Sequence, residues 1–111
     1  MSAFVKHEKN AEIDTAGPFP ASLLMKKAIN STFSFKKGIL KKGGTIKEHM
    51  HDNVDQFEYI VSGKAIFYVE GLGDNELSSG SYSYVPRGIK HSIKLVEDDL
   101  EIINIFSPAN F

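Results

Sequence analysis

A chain of 111 residues with 13 basic side chains, 14 acidic ones and no cysteine is sized for one domain with its own core. The absent thiols exclude disulfides and thiolate metal sites. A net charge of −1 with acids and bases interspersed predicts no nucleic-acid face, and a single arginine, Arg87, weakens the case for phosphate recognition. No run is apolar for long enough to span a membrane, and MSAFVKHEKN lacks the apolar stretch of a signal peptide. The expectation is a cytoplasmic protein with neither nucleic acid nor membrane as partner.

In chain order, Gly17-Pro18 marks a first turn, and Ser22–Ile29 follows as SLLMKKAI. Ser22 can cap a short helix there, but the segment lies between a Pro-rich turn and a strand and reads as a strand. Runs rich in β-branched and aromatic residues then occupy Thr32–Leu40, Phe57–Val61, Ala65–Val69, Tyr82–Val85, Ser92–Val96 and Leu100–Phe106. Turn signals such as Gly43-Gly44, Ser62-Gly63, Ser79-Gly80 and Glu97-Asp98-Asp99 separate them. The spacing predicts an all-β sandwich or barrel. Residues 1–30 form an N-terminal arm with short strands, and residues 31–111 the barrel core of one domain.

Alternation along Gln56–Val61 puts Gln56, Glu58 and Ile60 on one face and Phe57, Tyr59 and Val61 on the other. The second set is apolar or aromatic and is expected to be buried, while the first is expected to line a cavity with a wet mouth. Phe33, Phe35, Phe67 and Phe106 read as core or pocket wall. The pairs Lys26-Lys27, Lys36-Lys37 and Lys41-Lys42 read as solvated surface.

Two of the four histidines, His49 and His51, stand in an i, i+2 pair that one strand face can present to a single ion. Alone, the pair fits surface or hydrogen-bonded histidines as well as ligands. Its surroundings add G-x5-H-x-H-x4-Q-x6-G, made by Gly43, His49, His51, Gln56 and Gly63. Further on comes G-x5-P-x-G-x2-H, made by Gly80, Pro86, Gly88 and His91. The Pro86-Arg87-Gly88 turn can deliver a third imidazole to the first two, which leaves His7 as a surface residue.

This arrangement resembles the paired signature motifs of the cupin superfamily, with Lys64–Ser79 as the intermotif hairpin. The resemblance implies a double-stranded β-helix, a jelly-roll barrel of the RmlC-like kind. It also implies one divalent metal ion (Zn, Ni, Fe, Mn or Co) held by His49, His51, Gln56 and His91. Many cupins carry glutamate where this chain has Gln56. A glutamine ligand leaves the ion its full charge, which sharpens it as a Lewis acid and loosens the hold on it.

In length, in His-x-His-x4-Gln and in the ending EIINIFSP, the pattern is similar to the unsaturated-uronate isomerases of pectin breakdown. Those enzymes place an aspartate thought to move a proton where this chain has Asn104, and asparagine neither gives nor takes a proton near neutral pH. Glu58, on the strand face of Gln56, is a candidate base, a candidate ligand in place of Gln56, or a carboxylate at the barrel mouth. Tyr68, Tyr82 and Tyr84 read as packing, with Tyr84 also a candidate proton donor.

The functional expectation is a metal-dependent isomerase or lyase acting on a small carbonyl or sugar acid bound in the barrel. An Fe-dependent dioxygenase and a non-catalytic ligand-binding or sensory cupin are the alternatives. The resemblance further implies a homodimer, with the segment around Phe19–Met25 as a candidate contact.

Overall fold

The computed structural model describes residues 3–111. A 3-10 turn at Glu8–Asn10 precedes eight strands: β1 (Glu12–Asp14), β2 (Ala21–Met25), β3 (Ser34–Leu40), β4 (Ile46–His49), β5 (Asp55–Val69), β6 (Gly73–Leu77), β7 (Tyr82–Val85) and β8 (His91–Ser107). All strand pairs are antiparallel, and the all-β expectation holds. Ser22–Ile29 is strand only as far as Met25.

Two long strands organise everything else. The first half of β5 pairs with β7 and with the end of β8, while its second half pairs with β6 and the start of β8. β8 in turn takes β3 along its second half and β4 along its first. The chain therefore builds two sheet faces that share two strands. Leu40, Ile60, Leu100 and Ile102 from one meet Ala65, Phe67, Val69, Leu77, Ile93 and Val96 from the other in a single core.

Sequence reading placed corners at Ser62-Gly63 and at Glu97-Asp98-Asp99. Neither is a turn. β5 runs straight through Gly63, and β8 runs through Asp99, with register shifts on both sides of Ser62 and Lys64. An extra residue in one strand reverses which side chains face inward. Accordingly the inner face of β5 carries Gln56, Glu58 and Ile60 before the bulge, and Ala65, Phe67 and Val69 after it. Gly63 is required there because its φ is +101° and because a Cβ would overlap the carbonyl oxygen of Asp99.

The alternation in Gln56–Val61 is real and its first face lines a cavity as expected, but the expected burial of the second face fails. Gln56, Glu58 and Ile60 are buried, whereas Phe57 and Tyr59 are exposed. The inner wall needs polar groups at this level because it forms a site, so the apolar residues face out. Phe67 and Phe106 are buried as expected. Phe33 and Phe35 are only half-buried and stack on each other with ring centroids 6.1 Å apart.

β3 follows the same rule, with Ser34, Gly38 and Leu40 buried on its inner face. Gly38 leaves room for Phe19, whose ring would overlap any Cβ at that position. Phe19 thus packs against the core from the loop before β2.

Candidate metal centre

β4 runs antiparallel to β8 with His49 opposite His91. His51 lies two residues past the end of β4, and its carbonyl accepts the Gly88 N–H at 2.7 Å. Arg87 donates through its backbone N–H (3.0 Å) and its Nε (3.1 Å) to Asp55 Oδ1. The Pro86-Arg87-Gly88 turn is thereby tied to the first motif at two points and starts β8 at His91. The three imidazole centroids are 4.3 to 5.4 Å apart. One ligand atom from each lies within 4.8 Å of the others.

The ring nitrogens are sorted by their backbone partners. His49 Nδ1–H donates to Lys47 O at 2.7 Å, and His91 Nδ1–H donates to Ile89 O at 3.0 Å. Both rings therefore turn an unprotonated Nε2 toward the centre, the usual arrangement of ligating histidines. His51 Nε2 is buried with no hydrogen-bond partner. Burial, reinforced by the neighbouring histidines, pushes His51 and His91 below the ordinary histidine range. Neutral rings are the form that binds a metal.

Gln56 Nε2 spends both protons, one on Glu58 Oε1 at 2.8 Å and one on Asn104 Oδ1 at 3.0 Å. Its Oε1 is thereby aimed at His91 Nε2, 3.1 Å away. Two lone pairs held face to face repel each other unless a cation shares them. This contact, together with the orphaned His51 Nε2, is what a divalent ion would satisfy, so the residues present fit one.

Glu58 lies outside the converging set, behind Gln56. Its Oε2 has no partner, and burial pushes its pKa up to about 7. Asn104 is opposite Glu58 on one side and opposite Lys36 on the other. These three residues and the four donors line a cavity of about 550 Å³, walled by Phe19, Ile46, Phe67, Ile93, Ile102 and Phe106. That volume suits a small-molecule ligand.

Tyr84 is not in this cavity. It is exposed on the outer face and stacks on Phe57 at 4.9 Å, which removes it as a proton donor at the centre. Lys36, by contrast, was read as surface and lines the cavity. Only its even position on β3, in step with Ser34 and Gly38, signals the inward direction. His7 is exposed, as expected.

Residues 37–106 match the Cupin domain family model. Uncharacterized protein SCO3923 of Streptomyces coelicolor is 33% identical over 69 residues, which are 62% of this chain and 64% of that protein. The match thus spans less than two thirds of that relative's length. KdgF from Halomonas sp. superposes with a TM-score of 0.83 at 20% identity, over 99% of this chain and 96% of its own. An RmlC-like cupin from Shewanella frigidimarina gives 0.82 at 25% identity, over 98% and 94%. With the family model matching residues 37–106, more than half of its length, this chain belongs to the cupin family.

Proposed function

We propose that the protein is a metal-dependent enzyme that moves a proton on a small carbonyl or sugar acid, as an isomerase or lyase does. The observation that carries this reading is four uncharged donors, from His49, His51, Gln56 and His91, converging beside a buried carboxyl with one unpartnered oxygen. A divalent ion held by them supplies Lewis acidity that no ligand charge diminishes. The chain's own residues do the rest. Asn104 and Glu58 fix the direction of the Gln56 amide, and Phe67, Ile93, Ile102 and Phe106 keep the cavity wall dry. Glu58 Oε2 takes and returns the proton, the task that Asn104 cannot perform.

The test is solvent deuterium incorporation, followed by NMR, into a panel of 2-keto acids and uronates with zinc-loaded protein. Exchange next to the carbonyl is expected for at least one member. Glu58→Gln lowers it by about 100-fold or more with metal content unchanged. A second reading, ligand binding without turnover, is favoured by Asn104, whose Oδ1 is already engaged by Gln56. A compound that raises Tm yet is recovered without deuterium would establish that reading and remove the first. Oxygen uptake with iron but not with zinc would identify a dioxygenase instead.

The partner expected on the outer face is a second copy of the chain. Tyr59 lies opposite Tyr82, and Phe57 opposite Tyr84, with Ile103 and Ile105 beside them on β8. Tyr82 is 83% exposed and the other three aromatics are about half exposed, an apolar patch of the kind that marks an interface. Light scattering is expected to give a dimer for the wild type and a monomer for Phe57→Glu/Tyr82→Glu. A wild-type monomer, or a doubly substituted dimer, rejects this face.

A further inference from the structure

The cavity also holds a part-buried lysine that none of the chemistry above uses. Lys36 sits on the inner face of β3, directly across from Asn104, which is directly across from Glu58. Its Nζ lies 5.3 Å from the ring centroid of Phe19, 5.7 Å from Phe106 and 5.6 Å from Phe111. The faces of such rings favour a cation at this range. It makes no ion pair among the described residues, whereas its neighbour Lys37 is bound to Glu8 and Glu101 on the outside.

We propose that Lys36 is the anchor for a carboxylate on the ligand of this cavity, held at a fixed remove from the three histidines by the ring of Phe106. That ring is 5.5 Å from His51 and 5.7 Å from Lys36 Nζ, so one phenyl group spaces the ammonium from the donor cluster. The inference rests on the metal-dependent reading of the site and deepens it, naming the group that selects an acid over a neutral sugar or aldehyde.

Three features favour a carboxylate. Glu58, the one acid lining the cavity, lies beyond Asn104 and is engaged by Gln56, so no internal anion occupies the ammonium. Burial lowers the lysine pKa, with Asp14 acting in the opposite sense, and an incoming anion would offset that desolvation. A phosphate calls for a fork of donors or a helix N-terminus. Arg87, the chain's single arginine, is held by Asp55; of the two lysines lining the cavity, Lys47 is exposed, which leaves Lys36 as the ammonium set among the aromatic rings.

The experiment is an NMR titration of zinc-loaded protein with acetate, acetamide and inorganic phosphate against chloride-matched blanks, reading the Lys36 ε-CH2 signal and the Asn104 and Phe106 amides. Acetate is expected to shift all three saturably, acetamide not to, and phosphate to bind more weakly than acetate. Lys36→Met should weaken acetate by about tenfold or more, and Lys36→Arg should restore most of it. Zinc content, measured on the same samples, should be equal in all three proteins. Absence of a saturable acetate shift, equal binding by Lys36→Met, or tighter binding of phosphate overturns the carboxylate anchor whatever the zinc content. Loss of zinc from the wild type would instead remove the metal reading and leave the Lys36 result to stand by itself.

Discussion

His91→Ala and His49→Ala are each expected to bind zinc or cobalt about 100-fold more weakly, or worse, than the wild type. The reason is local. Each ring is aimed by its own Nδ1–H bond to a backbone carbonyl, so no other side chain can swing into its place. Gln56 cannot compensate, because both its amide protons are committed and its one free oxygen already faces His91. His91 is buried, and its loss leaves a void beside Phe67, at 6.1 Å between rings. His49 is only half-buried, so His49→Ala separates metal loss from loss of fold. Elemental analysis of untagged protein, with a melting curve, checks both. If both variants retain stoichiometric metal, the three-histidine centre is wrong.

Gly63→Ala is the substitution expected to harm the fold most. The methyl group faces two costs: a φ of +101° and overlap with the carbonyl oxygen of Asp99. Each is on the order of 1–3 kcal/mol, and neither partner can rotate away because both are backbone. A loss of about 3 kcal/mol or more corresponds to a Tm drop of roughly 10 °C or more. Gly43→Ala serves as the control, since Gly43 also has a positive φ, +86°, but nothing within 4 Å of a new Cβ. It should lose only the backbone part, about 1 kcal/mol. Equal Tm values for the two variants would show that the close approach at Gly63 is not what the fold requires.

The centre was easier to read from the chain than the barrel around it. A cluster of histidines depends on residue type and spacing, and His49, His51 and His91 come together whatever the strands between them do. The strands were harder, because a glycine at a bulge and a glycine at a corner look alike. Ser62-Gly63 therefore read as a turn and cut β5 in two. Phe57 and Tyr59 read as buried, yet are exposed, for a related reason. Hydrophobicity marks burial only where the inner wall is core, and at Gln56 and Glu58 the inner wall is the site. Lys36 was hidden by its neighbour. Two adjacent lysines read as surface, yet in a strand one of them must turn the other way.

The bulge at Ser62–Lys64 also limits how the chain can change length. β5 supplies Gln56 and Glu58 to the cavity from one side of it and Phe67 and Val69 to the core from the other. Removing one residue there would keep the first set in place and turn the second outward, bringing Ile66 and Tyr68 to the inner face. A loop such as Gly71–Leu72 has no such coupling. Insertions and deletions in relatives with the same cavity should therefore collect in the loops and spare the bulge, although its sequence, Ser62-Gly63-Lys64, has the composition of a loop.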